Sequence, residues 1–306
     1  MNAAAPISLA DLARDARQGA RVVWLDQAAY AWRLFCPGED IWSDARRYVA
    51  MARQAQALLG SDVLEWRLGD AQRAAVRANP ALIPPLVGRR VGFALRKLIA
   101  EAPLIERTTA VLTALQSLFP AVPRVLVVES VESQLTWLAG LTTAEAETAV
   151  DASDVDDAAV HLAGAVRGFS AAGLSGLVLD LTGPGAFPTD QILELHRPLL
   201  NVARHYDWSL GVLVDARRLP EITKTTANVD FLLCAEAQPG LAGPEGDALI
   251  GGGLPPAFWH DEDADNPCPG LCFGTVEADA TPELVLARLQ LLRSNSSLPR
   301  TELKGS

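Results

Sequence analysis

Five carboxylates stand at or just past the ends of five separate apolar runs in this sequence. Asp26 closes the first, with Gln27 beside it, and Glu129 closes residues 124–129. Asp180 sits in 176–181, Asp215 ends 210–215 with Arg217 two residues on, and Glu236 follows 231–235. Burying an unpaired carboxylate costs on the order of several kcal/mol, so such residues need a partner, a proton or a task. Carboxylates brought together push one another's pKa values apart, and one site can then hold both an acid and a base. Asp180 and Asp215, each preceded by three apolar residues, are the candidate catalytic pair. Asp26, Gln27, Glu129, Arg217 and Glu236 are candidates for holding polar substrate groups. Trp24 could wall a pocket together with Tyr30 and Trp32, and Gly252 could admit a backbone close to a ligand. Any one of these carboxylates could instead cap a helix or pair with an arginine. Trp24 could equally be core, and the glycines a tight turn.

Other chemistries have thinner support. His161, His196 and His205 fall within helical patterns, and His260 falls in a polar stretch, 259–263. Cys268 and Cys272 have a C-x₃-C spacing with His260 upstream, but a structural zinc site normally takes four ligands. The reading is therefore no metal and no cofactor. Cys234 lies inside an apolar run and reads as a core thiol. Neither a G-x-S-x-G elbow nor a G-x-x-x-x-G-K-[ST] loop occurs.

The elements that must position these residues alternate along the chain. Short apolar runs at 21–25, 62–66, 91–95, 124–129, 176–181, 210–215, 231–235, 248–251 and 271–274 read as strands buried on both faces. Helical patterns lie between them. One runs over 154–172, with Ser153 as cap and Gly173 as terminator. A second covers 189–205 and should kink at His196-Arg197-Pro198. A third opens at Thr281-Pro282. Alternating strand and helix gives right-handed βαβ units, and about eight strands favour a single-domain (β/α)8 TIM barrel. An open doubly wound sheet is the rival, but the first strand is not followed by the glycine-rich turn that fold uses. The expected boundaries are a leader segment at 1–18, the barrel at 19–296 and a tail at 297–306.

The 306 residues carry 26 Lys+Arg against 37 Asp+Glu, a net charge of -11 with 49% hydrophobic residues. Disorder is thereby excluded, and a nucleic-acid partner disfavoured. The N-terminus lacks a signal-peptide pattern, no stretch is apolar enough to span a membrane, and the four cysteines are too few for a disulfide framework. The expected setting is the cytoplasm. The expected partners are a small-molecule substrate and either a second copy or a partner enzyme subunit.

Residues 248–259, ALIGGGLPPAFW, followed by Thr281-Pro-Glu-Leu-Val285, resemble the late strand and helix of uroporphyrinogen decarboxylase-like proteins. Residues 22–30, VVWLDQAAY, are similar to that family's opening strand, and the step from Ala171-Ala-Gly173 into 176–180 resembles its middle. The resemblance spans about residues 20 to 295. It extends to corrinoid methyltransferases and cobalamin-independent methionine synthase, and implies a (β/α)8 barrel. The departures bear on function. Asp26 and Tyr30 stand near the place of the family's porphyrin-gripping arginines. Gly252 replaces its asparagine, Leu254-Pro255 replaces its aspartate, and no His-x-Cys zinc unit occurs. The expectation is a metal-independent, decarboxylase-like lyase acting on a small molecule. The rivals are a methyltransferase of the corrinoid- or folate-linked type and a non-catalytic barrel serving as a binding or assembly subunit.

Overall fold

A computed structural model describes residues 8–142, 150–222, 229–241, 248–261 and 269–294. Among the described residues there are nine strands: β1 Val22–Asp26, β2 Leu64–Arg67, β3 Arg124–Glu129, β4 Gly176–Asp180, β5 Ser209–Leu213, β6 Phe231–Leu233, β7 Gly240–Leu241, β8 Leu249–Gly253 and β9 Leu271–Thr275. The described α-helices are α1 Leu9–Arg17, α2 Ala28–Phe35, α3 Ala45–Leu59, α4 Leu68–Ala78, α5 Val91–Ile99, α6 Ala102–Leu118, α7 Val131–Thr142, α8 Ala152–Arg167, α9 Thr189–Leu195, α10 Arg197–His205, α11 Leu219–Ile222 and α12 Pro282–Ser294.

Eight parallel strands run in the order β1-β9-β8-β6-β5-β4-β3-β2, and the two-residue β7 pairs antiparallel with β8. The sheet curls into a nearly closed (β/α)8 barrel. Side chains close the seam between β1 and β2. The Asp62 carboxylate accepts the Val23 N–H at 2.7 Å and the Ser61 hydroxyl accepts the Leu25 N–H at 3.0 Å. These bonds satisfy strand donors that would otherwise lie buried without partners.

Alternation along each strand sends every second residue inward. Val22, Trp24, Val127, Val178, Phe231, Leu249 and Phe273 fill the barrel. Trp24 meets Phe231 and Phe273 edge-on, with ring centroids at 6.0 and 6.1 Å. Leu9, Leu12, Ala13 and Ala16 of α1 join the same cluster. A Cβ at Gly176 would come within 2.5 Å of Leu9, so this glycine leaves the room that α1 needs. The segment expected as a leader thus contributes a helix to the barrel core.

Residues 91–95 form the start of α5, not a strand. Val91, Ala94, Leu95, Leu98 and Ile99 are all buried, and that spacing is a helix stripe. Both ends of the 154–172 pattern also change. Asp151, not Ser153, caps α8 by accepting the Asp154 N–H, and a 3-10 turn over Ser170–Ala172 precedes left-handed Gly173. The break at His196 is present: α9 ends at Leu195 and α10 begins at Arg197.

Candidate active site

The C-terminal end of a parallel barrel gathers the last inward residues of its strands. Here those of β1 to β4 are polar. Glu65 and Arg67 alternate on β2, Asp26 ends β1, Glu129 ends β3 and Asp180 ends β4, where Glu129 and Asp180 are register partners. Arg67 stands at the centre. Its Nη1 donates to Asp26 Oδ2 at 3.2 Å and to Glu65 Oε2 at 3.3 Å, while Nη2 bonds Asp180 Oδ2. Burial disfavours the cation, but the Asp26, Glu65 and Asp180 carboxylates outweigh it and raise the Arg67 pKa.

Glu65 lies one layer deeper. Trp24 Nε1–H donates to its Oε1 at 2.5 Å, and its side chain is only 9% exposed. Burial, with the Asp26 charge adding to it, pushes the Glu65 carboxyl up to about 8, against the pull of Arg67 and Trp24. Burial therefore favours the protonated form of this group. Asp180 is fixed from both sides. Thr182 donates to Oδ1 through its N–H at 2.9 Å and its hydroxyl at 2.6 Å, and Arg67 takes Oδ2. The mouth thus sets a carboxyl with a raised pKa and a clamped carboxylate within hydrogen-bonding reach of the Arg67 cation, a set suited to moving a proton.

Glu129 turns to a different cation. Arg73 Nη1 and Nη2 donate to its two oxygens at 2.6 and 2.7 Å. Gly69 makes this possible, since a Cβ there would sit 2.5 Å from Glu129 Oε1. Gln27 precedes α2, and its buried Oε1 has no hydrogen-bond partner among the described residues. With Asp26, Glu65 and Arg67 it borders a small cavity of about 20 Å³.

Asp215 lies elsewhere on this end. Its Oδ1 accepts the N–H groups of Arg217 and Arg218, both at 3.0 Å, and its Oδ2 accepts from Arg217 Nη2 at 2.7 Å. Burial raises its pKa, and the Arg217 and Arg218 bonds more than reverse this, leaving it below the usual carboxylate value. Asp215 and Arg217 line an open cleft of about 970 Å³ with the loop Gly183–Thr189 and Glu221; Asp180 is not among its walls. Glu236 is exposed and accepts from the Cys234 thiol at 3.4 Å. Gly252 serves the chain's own packing: a Cβ there would lie 2.2 Å from the Ala237 carbonyl oxygen and 2.5 Å from that of Cys234. The backbone it admits is that of the β6–β7 connection. The three rings expected around one pocket part company. Trp24 is inside the barrel, Tyr30 packs with Phe258 and Trp259, and Trp32 is on the surface.

His196 is fully buried. It accepts the Val131 N–H at Nε2 (2.8 Å) and donates from Nδ1 to the Ile192 carbonyl (2.7 Å). His260 is exposed and faces Asp279 at 3.6 Å. Cys268 lies outside the described residues, and among the described residues no group of three or more His, Cys, Asp or Glu could hold a metal ion. No described helix is long and apolar enough to cross a membrane.

Glu65 and Arg67 were absent from the expected site. Their signal was the alternation Glu65-Trp66-Arg67: in a strand whose Trp66 faces the helices, both flanking residues must face the barrel interior.

No family model matches the chain, and no curated protein matches it. A solved structure from Aquifex aeolicus VF5, described as a structural study, is similar to it at 12% identity and a TM-score of 0.43, over 93% of this chain and 98% of its own.

Proposed function

We propose that this barrel is a lyase-type enzyme, decarboxylase-like in its chemistry, that moves a proton on a small organic molecule at the mouth formed by β1, β2 and β4. The observation that carries the reading is the setting of Glu65, whose carboxyl is bonded by Trp24 and Arg67 beside Asp26 and is pushed by burial toward its protonated form. In this reading a C–C bond to a carboxylate breaks, CO₂ leaves, and the carbanion takes the Glu65 proton, which water then restores. Asp180 orients Arg67, whose cation offsets the charge developing on the substrate. Asp26 and Gln27 hold its polar groups. The sequence resemblance to the uroporphyrinogen decarboxylase-like superfamily is compatible with this chemistry, and the missing arginines and the acidic mouth weigh against a porphyrin as substrate.

One observation favours a second reading, a binding or assembly subunit. Arg67 is already bonded by three acidic side chains of its own chain, and the space beside Asp26, Glu65 and Arg67 is only about 20 Å³.

Incubation in D₂O with panels of small carboxylic acids and carbonyl compounds separates the two. The enzyme reading expects deuterium at one carbon of at least one compound, with at least about a hundredfold slower incorporation in Glu65→Gln. Incorporation by wild type and Glu65→Gln at equal rates, or none with any compound, would remove it.

A further inference from the structure

The charge of this chain is unevenly spread. Residues 71–100 hold six Lys+Arg and no Asp or Glu, although acids outnumber bases 37 to 26 overall. Residues 151–157 hold four Asp and no base. The fold sets these two segments side by side, because α5 packs along α8. A surface groove of about 290 Å³ runs between them, with Arg90, Phe93 and Arg96 on one wall and Asp154, Asp157 and His161 on the other.

One pair crosses the groove, Arg90 to Asp154 at 2.8 Å. Beyond it the two walls keep their opposite signs. Arg96 and Lys97 are exposed over the Phe93 ring, at 5.1 and 5.7 Å from its centroid, and among the described residues neither has a carboxylate within 4.0 Å. Asp156 and Asp157 are exposed on α8. Apolar side chains accompany them: Val160 is 55% exposed on α8, and Val87, just before α5, is 58% exposed.

We propose that this α5–α8 face is the contact surface of a two-fold homodimer. A two-fold axis brings the basic wall of one copy onto the acidic wall of the other, twice, because such an interface uses the same patch on both subunits. The bipolar charge selects a second copy over a purely acidic or purely basic partner, which would meet one wall with like charge. The inference is independent of the chemistry proposed for the barrel mouth.

Sedimentation equilibrium on the whole chain tests it. Wild type is expected to have twice the 32.6 kDa chain mass at tens of micromolar and to weaken as salt rises. The pair Arg96→Glu with Lys97→Glu, and separately the pair Asp156→Lys with Asp157→Lys, should each weaken self-association by about tenfold or more. All four positions are exposed, so thermal unfolding should remain near wild type. Mixing the two variants should restore a dimer containing one of each. A monomeric wild type, unchanged dimers in both variants, or no association on mixing would overturn the proposal.

Discussion

Glu65 and His196 are both buried, and burial drives each toward its neutral form: the carboxyl goes up to about 8 and the imidazole down to about 4. Their neighbours give them different tasks. Glu65 bonds Trp24 and Arg67 at the barrel mouth, whereas His196 joins backbone to backbone. His196 accepts the N–H that opens α7 and donates to α9, so replacing it by leucine strands the Val131 N–H. A His196→Leu variant should lose about 1–3 kcal/mol, the cost of an orphaned buried donor, in urea unfolding. Loss under about half a kcal/mol would assign His196 a passive role. At this scale the sequence was legible in part. Asp26 and Asp180 do meet at one cation, because strand-end position was enough to place them. The cation itself was not legible, because Arg67 falls one residue beyond the apolar run that marked β2. Nor was the fate of Asp215, whose turn places two N–H groups and a guanidinium on its own carboxylate.

At the scale of elements, eight of the nine apolar runs are barrel strands, and the ninth, at 91–95, is the first turn and a half of α5. A five-residue apolar window does not separate a buried strand from a helix; the extension to Leu98 and Ile99 does. The glycines of β8 mark a close approach, as glycines in a strand tend to, but the group approaching Gly252 is the chain's own β6–β7 connection. Gly252→Ala would press a methyl group onto two carbonyl oxygens belonging to backbone, which cannot swing away. The expected cost is about 1–3 kcal/mol or more, read as a lowered melting temperature. A Gly252→Ala protein as stable as wild type would mean that this connection yields easily. The seam between β1 and β2 shows the same economy: Ser61 and Asp62 stand in for a ladder, a role invisible in a sequence that offers only one more polar pair before a strand.

Over the whole molecule, the two buried titrating groups shape stability against pH from opposite sides. A carboxyl whose pKa is higher folded than unfolded stabilises the protein below the unfolded value of 4.5, and that contribution is lost as the pH rises through about 8. A histidine whose pKa is lower folded than unfolded does the reverse: the unfolded chain takes up a proton first, and stability falls as the pH drops from 6.5 to about 4. Glu65→Gln should therefore gain on wild type steadily between pH 5 and pH 8 in urea unfolding, since glutamine does not titrate. A constant difference across that range would show that Glu65 ionises normally. The net charge of -11 also gains meaning at this scale. Part of the acidic excess is buried at the mouth around Arg67, and part lies along α8 facing a basic α5.

The protonation of Glu65 in the resting protein decides most, because a proton donor must hold its proton at the working pH. Carboxyl ¹³C chemical shifts of glutamate-labelled protein, with the Glu65→Gln spectrum subtracted, follow that single group through a pH titration. The expected result is one carboxyl with its midpoint near 8 and protonated at neutral pH. A midpoint near 4.5, with Glu65 ionised throughout the neutral range, would contradict the acid–base site at the barrel mouth.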